Sequence, residues 1–280
     1  MKDYKTFTIE RKGQVATITF MSPPYPSGAS FPWELGCLFS DLREDNSIRV
    51  IVLTGSGGNF TIPAPKTVYH DPGWPSKNLD PGKLWHTFTG IIRCLQGMAE
   101  IEKPIIAKVN GDAIAFGSSL AFSSDFIIAR EDAVIMDNHM GGTFLGNYNG
   151  EQKVGGYDFS NVPGDGGAAL IPLFMSPCKA KEYLMLAQPY TAAELARLGI
   201  INYAVPAAEL DAKVDDFVQR LLKLGAYTSA RTKRLVNRRL LDHLNLVLDA
   251  SVGYEMVSLF QTMFDTERGS VKPPVERGSV

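Results

Sequence analysis

The stretch from Lys103 to Ile135, KPIIAKVNGDAIAFGSSLAFSSDFIIAREDAVI, decides the fold class of this chain. The apolar run Ile105 to Val109 suits a strand covered on both faces, and Asn110-Gly111 is a turn signal that ends it. Small residues follow, and a helix is predicted to open near Gly117. The first four N–H groups of a helix lack intrahelical partners and lie at the positive end of its dipole. A turn of small residues leaves such groups uncovered, so they can hold negative charge developing on a substrate oxygen. The same pattern also fits an ordinary strand-to-helix corner of an α/β domain.

On the N-terminal side, Thr6 to Glu10 and Val15 to Phe20 read as strands joined by a hairpin signal at Lys12-Gly13, and Val50 to Thr54 is a Val/Ile-rich strand of the parallel-sheet kind. Glu34 to Arg43 and Leu84 to Ala99 carry apolar residues at helical spacing. Phe126 to Ala129 returns to strand character before Asp132. This β-α-β order predicts an α/β fold with right-handed crossovers and packed layers. From Gly167 onward the pattern is almost wholly helical, with segments predicted over 168–174, 180–186, 192–198, 208–224, 230–248 and 251–264. The pentapeptide Glu-Arg-Gly-Ser-Val at 267–271 recurs at 276–280 around Pro273-Pro274 and reads as a mobile tail.

At 280 residues, 45% hydrophobic and 21% charged, the chain can bury a large core. A net charge of −2 and a pI near 6.1 argue against a nucleic-acid partner. The one basic cluster, Arg231 to Arg239, reads as a solvated helix face. Cys37, Cys94 and Cys178 are few, odd in number and widely spaced, which fits reduced thiols and gives no metal or redox pattern. Met1-Lys2-Asp3 does not open a signal peptide, and no apolar run is long enough to span a bilayer, so a cytoplasmic protein is expected.

The segments VATITF, RVIVLTGSGGNF, EKPIIAKVNGDAIAFGSSLAFSSDFIIAREDA, VPGDGG and KAKEYLMLAQPYTAAELARLGIINYAVP resemble, in order and spacing, the crotonase (enoyl-CoA hydratase/isomerase) superfamily. The resemblance runs from Phe7 to about Arg268. It implies an α/β fold, a crotonase-like spiral of β-β-α turns making two roughly perpendicular sheets, with a C-terminal helical trimerisation region. The division expected is a core over 1–200, a helical region over 201–268 and a flexible tail over 269–280. Homotrimers or homohexamers are implied, acting on a small-molecule carbonyl or acyl-CoA substrate whose enolate or oxyanion is held by two backbone N–H groups. No cofactor is implied beyond a coenzyme A thioester as substrate.

Matched to the family, the first oxyanion donor falls on Ala64 and the second on Phe116. Pro63 and Pro65 flank the first, where the family usually has Gly and Asp; they predict a rigid, altered loop, or simply a stiffened surface segment. An ordinary hydratase sets two glutamates about a water, because adding water across a double bond needs one group to take a proton and another to return one. The matching positions here are Ser119 and His139. Ser119 cannot serve unaided as a base, whereas an imidazole with an unperturbed pKa of about 6.5 can accept and donate protons near neutrality. Asp165, in the run Val162 to Gly167, is the expected partner of His139.

A His in this place followed by V-P-G-D-G resembles oxocamphor hydrolase and related β-diketone hydrolases, which cleave a carbon–carbon bond hydrolytically by a retro-Claisen route. That is the first functional expectation. The alternatives are an enoyl-CoA hydratase/isomerase acting on a thioester with a rearranged acid/base set, and a catalytically inactive scaffold that binds a CoA ester. The stretch between His139 and Pro163 is longer than the resemblance implies. Asn149-Gly150, with Tyr148 and Tyr157 on its arms, predicts an ordered hairpin there, serving as a lid or as an interface loop. This insertion leaves Asp137 as the neighbouring candidate should the alignment slip. Trp85 and His86, like His70, Asp71 and Trp74, fall in a Pro/Gly-rich segment that the family uses as a pocket wall; the histidines read first as packed or surface residues, with substrate contact the alternative. Glu255, on the last helix, is expected either to reach a neighbouring subunit's site or to face solvent. No His/Cys/carboxylate set has metal-ligand spacing, and GSGG at 55–58 lacks the residues of a phosphate loop.

Overall fold

The computed structural model describes residues 3–65, 81–157 and 159–267. The tail over 269–280, and His70, Asp71 and Trp74, lie outside them. Strands β1 (Phe7–Lys12) and β2 (Val15–Phe20) form an antiparallel hairpin whose turn uses Gly13 at φ 57°. β2 alternates, burying Ala16, Ile18 and Phe20 and turning Val15, Thr17 and Thr19 toward the outer face. Helix α1 (Phe31–Glu44) leads to β3 (Val50–Gly55), and α2 (Pro81–Glu100) to β4 (Ile105–Val109). Gly90 lets α1 and α2 cross closely, since a Cβ there would lie 2.4 Å from the Trp33 nitrogen.

The opening stretch then supplies β5 (Ala113–Ile114), α3 (Phe116–Phe122), β6 (Phe126–Arg130) and β7 (Val134–Met136). β8 (Gly142–Tyr148) and β9 (Glu151–Tyr157) make a separate hairpin. Its turn residues, Asn149 at φ 56° and Gly150 at φ 93°, take the left-handed backbone that an Asn-Gly pair tolerates. There follow α4 (Gly167–Phe174), α5 (Pro177–Met185), β10 (Tyr190–Thr191), α6 (Ala192–Arg197), β11 (Tyr203–Val205), α7 (Leu210–Lys223), α8 (Ala226–Val236) and α9 (Arg238–Glu267).

The larger sheet runs β1-β2-β3-β4-β6-β11, parallel except for the first pair, and a smaller sheet runs β10-β7-β5. β3 and β4 are apolar on both faces because both are covered. One face packs on α1, α2 and the later helices through Ile51, Leu53, Ile105 and Ala107; the other meets Leu210, Val214, Phe217 and Val218 of α7 through Val50, Val52 and Ile106. The region after residue 200 therefore contributes a strand and a covering helix to the sheet as well as the long C-terminal helix.

Two helix boundaries differ from expectation. The pattern over 230–248 is broken at Asn237, whose side-chain amide donates to the Ala99 carbonyl at 3.0 Å. The expected break near residue 250 is absent, and α9 runs unbroken to Glu267. The basic run is also not wholly solvated. Lys233 is buried, pairing with Asp125 at 2.7 Å and donating to the Lys103 carbonyl at 2.9 Å, so it pins α8 to the start of β4. No helix among the described residues is long and apolar enough to cross a membrane.

Candidate active site

At the corner after β5, Ala115 takes φ 55° and ψ −122°, a conformation that L residues rarely adopt. It is held there by burial and by donating its N–H to the Met136 carbonyl at 3.0 Å. Phe116 is thus the first helical residue of α3, and its N–H has no acceptor within the helix. Thr61 bridges Ala113 in parallel register, and Ile114 donates to the Thr61 carbonyl at 3.0 Å. Ala64 lies three residues beyond this bridge, on the segment that leaves it. Gly117 permits the approach, since a Cβ there would come within 2.3 Å of the Thr61 oxygen. Both expected donors therefore lie on adjoining segments.

Four buried ionisable side chains gather beyond this corner. The turn after β7 presents Asp137 and His139, the loop before α4 presents Asp165, and α9 presents Glu255. His139 Nδ1–H donates to Asp137 Oδ1 at 2.8 Å, and the His139 main-chain N–H donates to the same oxygen at 3.1 Å. This fixes the ring and leaves Nε2 toward Asp165 Oδ2, 3.5 Å away, and Glu255 Oε1, 3.7 Å away. Ser119 Oγ donates to Asp165 Oδ1 at 3.2 Å. Asn161 donates to Glu255 Oε1 at 3.4 Å and accepts a bond from Ser258, one turn further along α9. Asp137 and His139, alternatives in the sequence, thus occupy the cluster together in different positions.

The loop 163–167 draws these elements together because three of its glycines leave the necessary space. A Cβ on Gly164 would lie 2.5 Å from the Glu255 Cβ, one on Gly166 2.9 Å from the Ser119 Cβ, and one on Gly167 2.2 Å from Asp137 Oδ2. Asp137 Oδ2 and Glu255 Oε2 are buried without a hydrogen-bond partner among the described residues.

Burial alone would depress the His139 pKa, but the Asp165, Asp137 and Glu255 carboxylates outweigh it and hold the imidazole well above its ordinary value. Burial raises Asp165 to about 6, with His139 opposing the rise and Asp137 adding to it. Burial raises Glu255 to about 8, again against His139 and with Asp165 and Asp137. Asp137, His139 and Asp165 also offer ligand atoms within 4.8 Å of one another. His139 Nδ1, however, is already engaged by Asp137 Oδ1. The arrangement suits movement of a proton.

The other expected residues fall as follows. Ser119 is in the cluster as a hydrogen-bond donor. Glu255 reaches the site of its own chain, which corrects the expectation of a neighbouring subunit or solvent: α9 continues without a break and folds back over the loop 161–164. Trp85 is 58% exposed, and the ring partners of Trp85 and His86 among the described residues are Trp33 and each other, not the acid–base cluster. Asn161 and Ser258 were not anticipated. The Glu255-x-x-Ser258 spacing, which puts both on one helix face, is the signal that could have found Ser258.

The sequence matches the family model "Enoyl-CoA hydratase/isomerase" over residues 10–270. The chain belongs to this family, and its fold is the crotonase fold. It is 27% identical over 268 residues to a "Probable enoyl-CoA hydratase, mitochondrial" of Dictyostelium discoideum, covering 95% of this chain and 85% of that protein. It is 28% identical over 231 residues to the carnitinyl-CoA dehydratase of Escherichia coli (strain K12), covering 81% and 78%. Among solved structures, an enoyl-CoA hydratase/isomerase from Mycobacterium paratuberculosis superposes with a TM-score of 0.78 at 24% identity, covering 96% of this chain and all of the other. A β-diketone hydrolase from the cyanobacterium Anabaena sp. PCC 7120 gives a TM-score of 0.73 at 21% identity, covering 93% and 96%. At such identities the structural likenesses speak for the fold. The curated relatives' names favour acyl-CoA hydratase/isomerase chemistry over the hydrolytic carbon–carbon cleavage expected first.

Proposed function

We propose that this crotonase-family enzyme moves protons next to the carbonyl of an acyl-CoA thioester, in the hydratase/isomerase range of the family. The observation that carries the reading is the placing of His139 Nε2 between two buried carboxyl groups, at 3.5 and 3.7 Å. Their pKa values, raised to about 6 and about 8, leave Asp165 largely ionised and Glu255 largely protonated at neutral pH. Two like groups held apart in this way can divide the work, one accepting a proton and the other returning it. In this reading Asp165 is the base and Glu255 the acid, and the His139 imidazolium, fixed by Asp137, relays the proton between them. The Ala64 and Phe116 N–H groups receive the enolate oxygen, and Ser119 orients Asp165. Coenzyme A enters as the handle of the substrate, and no cofactor is called for.

A second reading keeps hydrolytic cleavage of a β-diketone, with the His139–Asp165 pair activating water. It is favoured by the imidazole and Ser119 standing where an ordinary hydratase carries glutamates. Incubation with crotonyl-CoA and, separately, with cyclohexane-1,3-dione distinguishes the two through loss of the enoyl absorbance or release of acid. Turnover of crotonyl-CoA is the expected result; acid release from the diketone alone would transfer the proposal to the second reading. Activity on neither would leave a binding scaffold. The assembly proposed is a homotrimer or homohexamer, supported by exposed Leu235, Val236, Leu246, Tyr254 and Val257 on α8 and α9. A monomeric mass in solution would overturn it.

A further inference from the structure

The inserted hairpin β8-β9 touches both halves of the site. At its root, the Tyr157 ring lies over the His139 imidazole with centroids 5.6 Å apart and planes 26° apart. The chain leaving it is fastened back when the Asn161 N–H donates to the His139 carbonyl at 2.6 Å and Ser160 donates to the Met140 carbonyl at 3.0 Å. Further out, the hairpin seizes the segment that carries Ala64. Asn59 donates its side-chain amide to the Asn147 carbonyl at 2.5 Å, Tyr148 donates its hydroxyl to the Pro63 carbonyl at 2.9 Å, and Pro65 forms an antiparallel bridge with Gly155. The Tyr148 ring is buried with Ile62, Ile114, Ala115 and Met136.

The chemistry of the segment explains why this grip is needed. Pro63 and Pro65 have no N–H, so residues 63–65 own a single main-chain donor, that of Ala64. If that donor is to remain available to a substrate oxygen, the segment can be anchored only through its carbonyls and side chains. Tyr148 supplies such an anchor at the carbonyl adjoining the Ala64 N–H. We infer that the hairpin 142–157 is a positioning element that sets the oxyanion donor against the proton relay, Tyr148 acting through Pro63 and Tyr157 through the face of His139. The inference rests on the proposed roles of Ala64 and His139.

The test compares Tyr148→Phe, which keeps the ring and removes the hydroxyl, with Leu145→Ser, which alters an outward side chain of the same strand. With crotonyl-CoA or cyclohexane-1,3-dione, whichever is turned over, Tyr148→Phe is expected to lower kcat about 10-fold or more with KM within about twofold, because the donor is displaced while ground-state binding persists. Leu145→Ser is expected to leave both unchanged. In an Ala64→Pro background, already without the donor, Tyr148→Phe should cost nothing further, whereas fully multiplying losses would overturn the inference. Hydrogen exchange of the Ala64 amide, the one exchangeable main-chain group among residues 63–65, is read independently of turnover. It should quicken in Tyr148→Phe, and an unchanged rate would defeat the inference even if Ala64→Pro does not fold. Failure of both substrates would overturn the proposed function, leaving the exchange measurement to decide the hairpin's role.

Discussion

The corner at Ala115-Phe116 and the cluster around His139 adjoin each other and are built in opposite ways. Under the proposed function the corner works through the main chain: one strained residue and a helix start present N–H groups whatever side chains surround them. The cluster works through side chains drawn from three distant parts of the sequence, and it depends on each of them. Charge stabilisation by backbone can therefore persist while the side-chain proton chemistry beside it is rebuilt. Under the proposed function, Ser119 and His139 stand where the family resemblance puts the two carboxyl groups of an ordinary hydratase, and Asp165 and Glu255 supply carboxyls from elsewhere.

The sharpest way to break this contrast is His139→Ala. Loss of the proposed proton relay should reduce kcat by about 10³-fold, within the range for a general acid–base group, while circular dichroism shows an intact fold. A near-normal rate would remove His139 from the mechanism. Next in size is Gly167→Ala, whose methyl would collide with Asp137 Oδ2 at 2.2 Å. Overpacking there should destabilise by about 2–3 kcal/mol, seen as a fall in denaturant midpoint, and should impair turnover.

A third effect concerns pH. Asp165 and Glu255 have folded pKa values of about 6 and about 8, raised from 3.8 and 4.5, so each binds its proton more tightly in the folded state. Their contribution to stability is complete below the ordinary values and is lost as pH rises through about 6 and then about 8. The imidazole, also raised, acts in the same direction. The melting temperature should fall from pH 5 to pH 9, and Glu255→Gln should flatten the upper part of that fall. Parallel curves for the two proteins above pH 7 would contradict the burial of an ionising Glu255. The smallest effect belongs to the corner. Ala115→Gly should relieve the positive φ and stabilise by about 1 kcal/mol, read as a raised melting temperature. A lowered melting temperature would mean that the alanine methyl packs more favourably than the backbone is strained.

The same contrast explains what could be read from the sequence. Ile105 to Val109 was predicted residue for residue, and Asn149-Gly150 announced its hairpin, because backbone preference and local periodicity govern both. His139 and Asp165 were identified by resemblance, and their approach across the insertion follows from the hairpin returning the chain to where it left. Glu255 was legible as a helix residue but not as a member of its own chain's site. Spacing along a helix says which face a residue occupies, and nothing about what that face will meet. The break at Asn237 was hidden for a similar reason, since its cause is the Ala99 carbonyl, far away in sequence. Lys233 looked like a solvent-facing lysine until Asp125 was brought to it.

The close approach of Gly166 to Ser119 also bears on which side chains position 119 can hold. The side chain at 119 ends where Asp165 begins, and the missing Cβ of Gly166 is what makes room for even a serine. A glutamate placed at 119 would extend into the volume of the Asp165 carboxyl. A glutamate at 119 therefore requires a compensating change at a neighbouring position, and the single variant is a misfit. The rearranged site is held in place by geometry as well as by whatever reaction it serves.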